Sequence, residues 1–172
     1  KIIENYFKKN LRSLKIKVIN TGKKTMTGGR IKRLEKVLNE KRFLLTYGDG
    51  LCNVDIKKLV KLHIKNKNIV TLTAVRPPAR FGGIKISGPK VKYFKEKSSL
   101  DEGWINGGFF VMEPEIIKFI KNDSTILERY PLEKICKLKK LGAYKHYKSW
   151  QCMDTVRDKK NLELLIKKNI FS

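Results

Sequence analysis

The sequence has few acidic residues, few histidines and few cysteines. Against 40 Lys and Arg stand 16 Asp and Glu, so the formal net charge of the 172 residues is +24. Cys52, Cys136 and Cys152 lie far apart without a Cys-x-x-Cys pair, which indicates neither a disulfide framework nor a zinc site. No apolar run is long enough to span a bilayer, and residues 1–10 are too polar for a signal peptide. We therefore expect a soluble, cytoplasmic protein with reduced thiols and no membrane contact.

The excess of positive charge raises nucleic acid as a partner. Most of this charge is lysine scattered through predicted helices such as 55–66 and 131–140, where it forms an ordinary solvated face. Direct base reading relies on arginine, and single-strand platforms rely on exposed aromatic residues interleaved with charge. Neither arrangement stands out, so we do not expect nucleic acid as the main partner. The same positive field would also attract small phosphorylated substrates.

Strands alternate with helices along the chain, which predicts a single α/β domain over residues 1–172. Helical spacing of apolar residues predicts helices over 2–14, 31–38, 55–66, 114–120 and 131–138, a further helical region from Asp123 or Ser124, and a last helix after Asp154 or Thr155 with Leu162, Leu165 and Ile166 facing inward. Runs rich in β-forming residues predict strands over 15–20, 43–49, 69–75, 81–87, 91–95, 105–112 and 142–147. The runs 81–87 and 91–95 flank Gly88-Pro89 and fit a hairpin or two short neighbouring strands, and Asp55 is a candidate N-cap for the helix over 55–66.

The stretch Phe43-Leu-Leu-Thr-Tyr-Gly-Asp-Gly50 ends an apolar run at two glycines that flank a carboxylate. It predicts a buried strand that delivers Asp49 to a loop at the carboxyl end of the strand, where ligands bind in open α/β sheets. Asp49 is then well placed to hold a metal ion on a phosphate. The alternative from the residues alone is a turn aspartate, because Asp and Gly dominate turns for local reasons.

A second glycine-bearing loop, Thr21-Gly-Lys-Lys-Thr-Met-Thr-Gly-Gly-Arg30, precedes a predicted helix. Such a loop presents backbone N–H groups at the start of the helix, which suits a phosphate or a nucleotide. Loops of this kind also serve as plain helix caps, and the residues alone leave both readings open.

Four separated stretches and the segment Phe94-Lys-Glu-Lys97 form one pattern. The stretches are Thr25-Met-Thr-Gly-Gly-Arg30-Ile-Lys-Arg33, Leu45-Thr-Tyr-Gly-Asp-Gly50, Ile105-Asn-Gly-Gly-Phe-Phe-Val111 and Trp150-Gln-Cys-Met-Asp-Thr155. In order and spacing the pattern resembles the sugar-phosphate nucleotidyltransferases, and the Met-Thr-Gly-Gly-Arg loop favours their cytidylyltransferase branch over the uridylyl- and thymidylyltransferases. The resemblance covers essentially the whole chain and implies a Rossmann-like (GT-A-like) mixed sheet flanked by helices.

This resemblance implies transfer of CMP from CTP to glucose 1-phosphate, giving CDP-glucose and pyrophosphate. It implies that Asp49 and Asp154 are catalytic and hold Mg²⁺ between the two substrates. Because Mg²⁺ takes oxygen ligands at about 2.0 to 2.1 Å, both carboxylates must reach a common point, within about 4 to 6 Å of each other.

The resemblance also implies two sets of binding residues. Those for the nucleotide are Thr25, Thr27, Gly28, Arg30 and Gly48. Those for the sugar phosphate are Phe81, Gly82, Glu96, Lys97, Asn106, Gly107 and Gly108. From the residues alone, Glu96 and Lys97 fit an exposed strand end, residues 106–108 fit a bulge, and Trp150 fits a core aromatic.

The chain departs from the family pattern at its beginning. The family's glycine-rich Gly-Gly-x-Gly-Thr-Arg loop and its Lys-Pro-Lys segment do not occur here, and Ser98 stands where many relatives carry proline. We therefore expect a domain that is incomplete at the N-terminus, with an exposed apolar edge beside Asp49 and little activity on its own. The complete protein is expected to be a homo-oligomer. The alternatives are a non-catalytic remnant that keeps the sugar pocket and a basic nucleic-acid-binding protein.

Overall fold

The computed structural model describes residues 2–11, 13–38, 40–77, 83–95 and 103–171. The helices are α1 (Ile2–Asn10), α2 (Thr27–Arg33), α3 (Glu35–Leu38), α4 (Ile56–Lys65), a 3₁₀ helix (Pro114–Phe119), α5 (Tyr130–Lys137) and α6 (Val156–Lys167). The strands are β1 (Phe43–Thr46), β2 (Gly50–Cys52), β3 (Val70–Val75), β4 (Gly83–Ser87), β5 (Lys90–Lys95), β6 (Ile105–Met112), β7 (Leu141–Lys145) and β8 (Trp150–Cys152). None of the helices in these ranges is long and apolar enough to cross a membrane.

The main sheet has four strands in the order β1-β6-β3-β7. Strand β3 pairs antiparallel with β6 and parallel with β7, so the sheet is mixed. Its sequence, Val-Thr-Leu-Thr-Ala-Val, is rich in β-branched residues and nearly all buried, as suits an inner strand. The predicted α/β class with helices around a mixed sheet is confirmed.

The core joins the middle of this sheet to the helices that follow β6 and precede β7. Its fully buried members include Val70 on β3, Phe110 and Met112 on β6, Ile116 on the 3₁₀ helix and Ile135 on α5. Pro114 lies in the first turn of the 3₁₀ helix, where its missing N–H costs nothing. This packing fixes the sheet, and thereby the loops at both of its ends.

Helix α4 begins as predicted. The side chain of Asp55 accepts a hydrogen bond from the backbone N–H of Lys58 at 2.9 Å and caps the helix. Leu59 and His63 form its buried face. The predicted helix and its cap are therefore confirmed.

Two small sheets complete the described structure. Strands β2 and β8 pair antiparallel, with Gly50 opposite Cys152. Strands β4 and β5 form the predicted hairpin, and Gly88 in its turn has a φ of 57°, a conformation that glycine adopts at low cost.

Several predicted elements were wrong. Residues 15–20 form no strand, and Ile16 and Val18 are exposed, because no described segment offers this run a ladder of hydrogen bonds. No helix begins at Asp123 or Ser124, since Asn122 Oδ1 accepts the backbone N–H of Ser124 at 3.2 Å and closes a turn instead.

Strand β1 and helix α6 also differ from the predictions. Strand β1 ends at Thr46 and is not buried: it lies at an edge of the main sheet, where Leu44 is 54% exposed. Helix α6 buries none of its residues, so Ile166 does not face inward.

Candidate active site

The main chain brings the two predicted catalytic residues into the same region, at the end of the β2–β8 ladder. Gly50 pairs with Cys152, and the carbonyl oxygen of Asp49 accepts the backbone N–H of Met153 at 2.8 Å. Asp49 and Asp154, which are 105 positions apart in the sequence, are therefore neighbours through the main chain. The structure brings together the pair that the resemblance singled out.

Both carboxylates are exposed and offer oxygen ligands of the kind that Mg²⁺ prefers. Oδ2 of Asp154 also accepts a hydrogen bond from the Cys152 thiol at 3.3 Å. The described ranges contain no group of three or more His, Cys, Asp or Glu that could hold a metal ion. A pair of carboxylates without further protein ligands fits Mg²⁺, which keeps several waters and substrate phosphates in its coordination sphere.

Gly48 precedes Asp49 in a bend between β1 and β2. A Cβ atom added there would meet no atom within 4 Å. Packing therefore does not require glycine at this position, and the space beside the main chain is open to a ligand.

The loop predicted to bind the nucleotide is docked on the turn at 122–127. The N–H groups of Met26 and Gly29 donate to the carbonyls of Asp123 and Thr125 at 2.8 and 3.2 Å. A Cβ on Gly28 or Gly29 would clash with those same two residues at 2.8 and 2.4 Å. The two glycines thus allow a close approach of main chains, and the N–H of Gly29 at the start of α2 is bonded within the protein. Nucleotide binding by Thr25, Thr27, Gly28 and Arg30 stays a prediction.

Arginines hold this loop at both sides. Arg30 Nη1 donates to the hydroxyl of Thr21 at 2.6 Å, and Arg30 itself is exposed. Arg33 forms a two-pronged ion pair with Asp123, in which Nε donates to Oδ1 at 2.9 Å. The guanidinium of Arg33 holds the pKa of the Asp123 carboxyl below its usual range. Thr25 is buried beneath the Thr21-Gly22 turn.

Residues 106–108 form a bulge in β6, as the residues alone allowed. The register between β3 and β6 shifts there, and Gly108 has a φ of 78°. A side chain on Gly107 would strike Val75 at 2.8 Å, and one on Gly108 would strike Tyr47 at 2.7 Å. The indole N–H of Trp150 donates to the carbonyl of Gly107 at 2.8 Å, so Trp150 joins β8 to the bulge and is not a core aromatic.

A hydrogen-bond network that sequence reasoning missed connects these segments. Thr27 donates to Glu128 Oε2 at 2.7 Å, and the hydroxyl of Tyr47 donates to the other oxygen of the same carboxylate. Asn106 Nδ2 lies 3.4 Å from the Tyr47 hydroxyl. Burial and the Glu128 carboxylate raise the pKa of Tyr47, which keeps its phenol protonated. No spacing in the sequence signals Glu128, because its two main partners are 101 and 81 residues away.

Four predicted sugar-phosphate residues, Phe81, Gly82, Glu96 and Lys97, lie outside the described residues. Their assignment stays a prediction. The three cysteines are free, as predicted, and burial raises the pKa of the Cys52 thiol to about 11.

A cavity of about 510 Å³ lies at the end of the main sheet opposite to Asp49 and Asp154. It is lined by residues before β3 and β7 and after β6, among them His63, Asn68, Glu113 and Lys140. His63 is completely buried, and its Nε2 lies 3.1 Å from Glu113 Oε1. The polar groups here bond to one another, and none of the predicted site residues lines the cavity.

Comparison with known proteins shows which family the chain belongs to. The family model described as nucleotidyl transferase matches residues 3–152. The chain belongs to the nucleotidyl transferase family. It is 44% identical over 154 residues to the glucose-1-phosphate cytidylyltransferase of Salmonella typhi, a match that covers 89% of this chain and 60% of that enzyme.

A less similar relative carries the name of an enzyme for another nucleotide and another sugar phosphate. The chain is 32% identical over 120 residues to the D-glycero-alpha-D-manno-heptose 1-phosphate guanylyltransferase of Aneurinibacillus thermoaerophilus, covering 68% of this chain and 52% of that protein. The chain thus spans about 60% of the length of the Salmonella enzymes it matches.

Solved structures share the fold. HddC from Yersinia pseudotuberculosis superposes with a TM-score of 0.65 at 22% identity, over 93% of this chain and 71% of that one. UDP-glucose pyrophosphorylase in complex with UDP-glucose also gives a TM-score of 0.65, at 17% identity, over 98% of this chain and 73% of that one. These nucleotidyltransferases have the Rossmann-like architecture that the sequence pattern implied.

Proposed function

We propose that the protein transfers CMP from CTP to glucose 1-phosphate, giving CDP-glucose and pyrophosphate. The observation that carries the proposal is the main-chain hydrogen bond between Asp49 and Met153, which brings Asp154 to the same end of the β2–β8 ladder as Asp49. The 44% identity to a glucose-1-phosphate cytidylyltransferase supports the choice of base and sugar.

In this reaction an oxygen of the sugar phosphate attacks the α-phosphorus of CTP in line, the bond between the α-phosphorus and its bridging oxygen breaks, and pyrophosphate leaves. The protein contributes mainly by positioning two anions and balancing their charge. Asp49 and Asp154 would hold Mg²⁺, which neutralises phosphate charge when bound. The exposed position of both carboxylates lets substrate phosphates approach them.

The remaining residues orient the substrates. Arg30, exposed beside the Thr25–Arg30 loop, offers a fixed cation to a phosphate. The open space at Gly48 admits the nucleotide next to Asp49. The bulge at residues 106–108, held by Trp150, forms the sugar side together with Phe81, Gly82, Glu96 and Lys97.

The test is a substrate matrix with the protein expressed from its complete coding sequence. CTP, UTP, dTTP and GTP are each combined with glucose 1-phosphate and Mg²⁺, and pyrophosphate release and the nucleotide sugar are measured. We expect CDP-glucose with CTP and at least about tenfold lower activity with the other nucleotides, the scale of the net free energy of one lost hydrogen bond. Preference for UTP or dTTP would make the protein a uridylyl- or thymidylyltransferase. Substrate binding without product would indicate a non-catalytic remnant.

A further inference from the structure

Glu128 joins two segments of the candidate site that are distant in the sequence. Its Oε2 accepts the hydroxyl of Thr27 from the Thr25–Arg30 loop at 2.7 Å, and its Oε1 accepts the hydroxyl of Tyr47, two residues before Asp49. Glu128 lies just before α5 and outside every motif of the sequence pattern. One carboxylate therefore ties the predicted nucleotide loop to the end of the strand that carries the metal ligand.

In each hydrogen bond of this network the donor and the acceptor can be assigned. The N–H of Leu127 donates to Thr27 Oγ1 at 2.9 Å, which leaves the Thr27 hydroxyl hydrogen for Glu128. An ionised carboxylate only accepts, so both hydroxyls must donate to it. The Tyr47 oxygen can then accept from Asn106 Nδ2 at 3.4 Å.

The network continues to the sugar side of the candidate site. Asn106 Oδ1 accepts the N–H of Gly108 at 3.0 Å, which fixes how its amide is turned. Gly108 in turn accepts the N–H of Tyr47 through its carbonyl at 3.0 Å. The Asn106 amide is thus held through its oxygen by the Gly108 N–H and through its Nδ2 by a Tyr47 hydroxyl that donates to Glu128.

Resting on the proposed function, we propose that Glu128 is a positioning residue for nucleotidyl transfer. Through Thr27 and Tyr47 it keeps the nucleotide loop, the strand end at Asp49 and the sugar-side bulge in one fixed arrangement. It touches neither substrate in this scheme, and its effect reaches them through Thr27 and Asn106. Its loss should therefore weaken the binding of both substrates more than it slows the chemical step.

The sharpest variant is Glu128→Gln in the protein expressed from its complete coding sequence. Glutamine keeps the shape but replaces one of the two accepting carboxylate oxygens with a donating amide group, so either Thr27 or Tyr47 loses the acceptor opposite its hydroxyl. We expect the KM values for CTP and for glucose 1-phosphate each to rise about tenfold, the scale of one lost hydrogen bond to a charged group, with kcat changed less than about threefold.

The matched control is Glu133→Gln, an exposed glutamate in the first turn of α5 whose side chain has no part in this network. Its KM values should equal those of the wild type. A cycle with Tyr47→Phe tests the connection: if Glu128 acts through Tyr47, the double variant should have KM values close to those of Glu128→Gln alone. If the rise in KM of the double variant equals the product of the rises in the two single variants, Glu128 does not act through Tyr47.

The outcomes separate this inference from the function on which it rests. An active wild type with unchanged KM values in Glu128→Gln would overturn the inference alone, even if the melting temperature falls, because that result describes a merely structural residue. A wild-type protein that transfers no nucleotidyl group with any pair of substrates would contradict the proposed function, and the positioning role with it.

Discussion

The two ends of the main sheet hold polar side chains in opposite ways. At the end where β1 and β3 finish, Asp49 and Asp154 are exposed and held together through the main chain. At the other end, around the cavity of about 510 Å³, His63 is fully buried and bonded on both ring nitrogens, to Thr71 at 2.9 Å and to Glu113 at 3.1 Å.

This difference shows that the volume of a cavity is a poor guide to chemistry. Glu113 accepts from Arg42 Nε at 2.7 Å as well as from His63, so these three side chains at the cavity satisfy one another. At the opposite end both carboxylates are exposed, and a Cβ atom added at Gly48 would meet no atom within 4 Å. At the cavity the polar groups stabilise the fold, whereas at the other end the two carboxylates are left exposed.

The largest expected effect tests the end of the sheet at which Asp49 and Asp154 are exposed. Asp49→Asn should lower kcat at least about a hundredfold, the scale of losing one strong electrostatic contributor, because a neutral amide holds a metal ion poorly. The melting temperature should stay close to that of the wild type, since the side chain is exposed. Steady-state assays over a range of Mg²⁺ concentrations measure this change. Near-normal turnover would remove Asp49 from the mechanism.

The second test asks whether Asp154 serves catalysis, as proposed for Asp49, or only the fold. Asp154→Ala should cause a loss of turnover comparable to that of Asp49→Asn, while the free energy of unfolding changes by less than about 0.5 kcal/mol, as at most surface positions. Thr155 rather than Asp154 caps α6, so the helix start keeps its cap in this variant. Kinetics and urea unfolding of one sample separate the two effects. Lower stability with normal turnover would mean that Asp154 serves the fold.

The third test addresses the buried end. Burial lowers the pKa of His63 below its ordinary value, and the Glu113 carboxylate offsets this only in part. The unfolded chain therefore takes up a proton at higher pH than the folded protein does, so stability should fall as the pH drops below about 6.5. His63→Gln should lose about 2 kcal/mol at neutral pH, because buried partners are left poorly satisfied.

The control for this test is the pH dependence of the variant itself. Between about pH 7 and about pH 5.5, where few carboxyl groups take up a proton, the loss of stability in His63→Gln should be clearly smaller than in the wild type. Urea unfolding at a series of pH values measures both proteins. Equal slopes would show that another group carries the dependence.

The smallest expected effect separates the capping of α6 by Thr155 from the proposed catalytic role of Asp154. Thr155 and Asp158 form a capping box at the start of α6, with Asp158 N–H donating to Thr155 Oγ1 at 3.1 Å. Thr155→Ala should lower the free energy of unfolding by about 1 kcal/mol and leave turnover nearly unchanged. Thermal melts beside those of Asp154→Ala provide the comparison. A large drop in turnover would mean that the cap also orients Asp154.

Local chemistry explains what the sequence could predict. The cap at Asp55, the strand 69–75 and the hairpin turn at Gly88 rest on neighbouring residues, and the structure has all of them. The strand predicted at 15–20 was wrong because a strand also needs a hydrogen-bonding partner, and none of the described segments supplies one to this run.

The candidate site shows the same division. The resemblance found Asp49 and Asp154 because they sit in motifs, and the structure makes them neighbours. It did not find Glu128, whose role depends on two contacts across 81 and 101 residues. Gly29 illustrates a third case, since its residue type fits either an anion site or a close approach of main chains, and the structure provides the close approach.

Strand β1, at the edge of the described sheet, has a consequence for handling the protein in solution. A strand with unpaired N–H and C=O groups and an exposed Leu44 is a template for pairing with another copy. The net charge of +24 opposes such pairing by mutual repulsion. Salt shortens the reach of that repulsion to about 10 Å at 0.1 M, so this polypeptide should be best dispersed at low ionic strength and should aggregate as salt is raised.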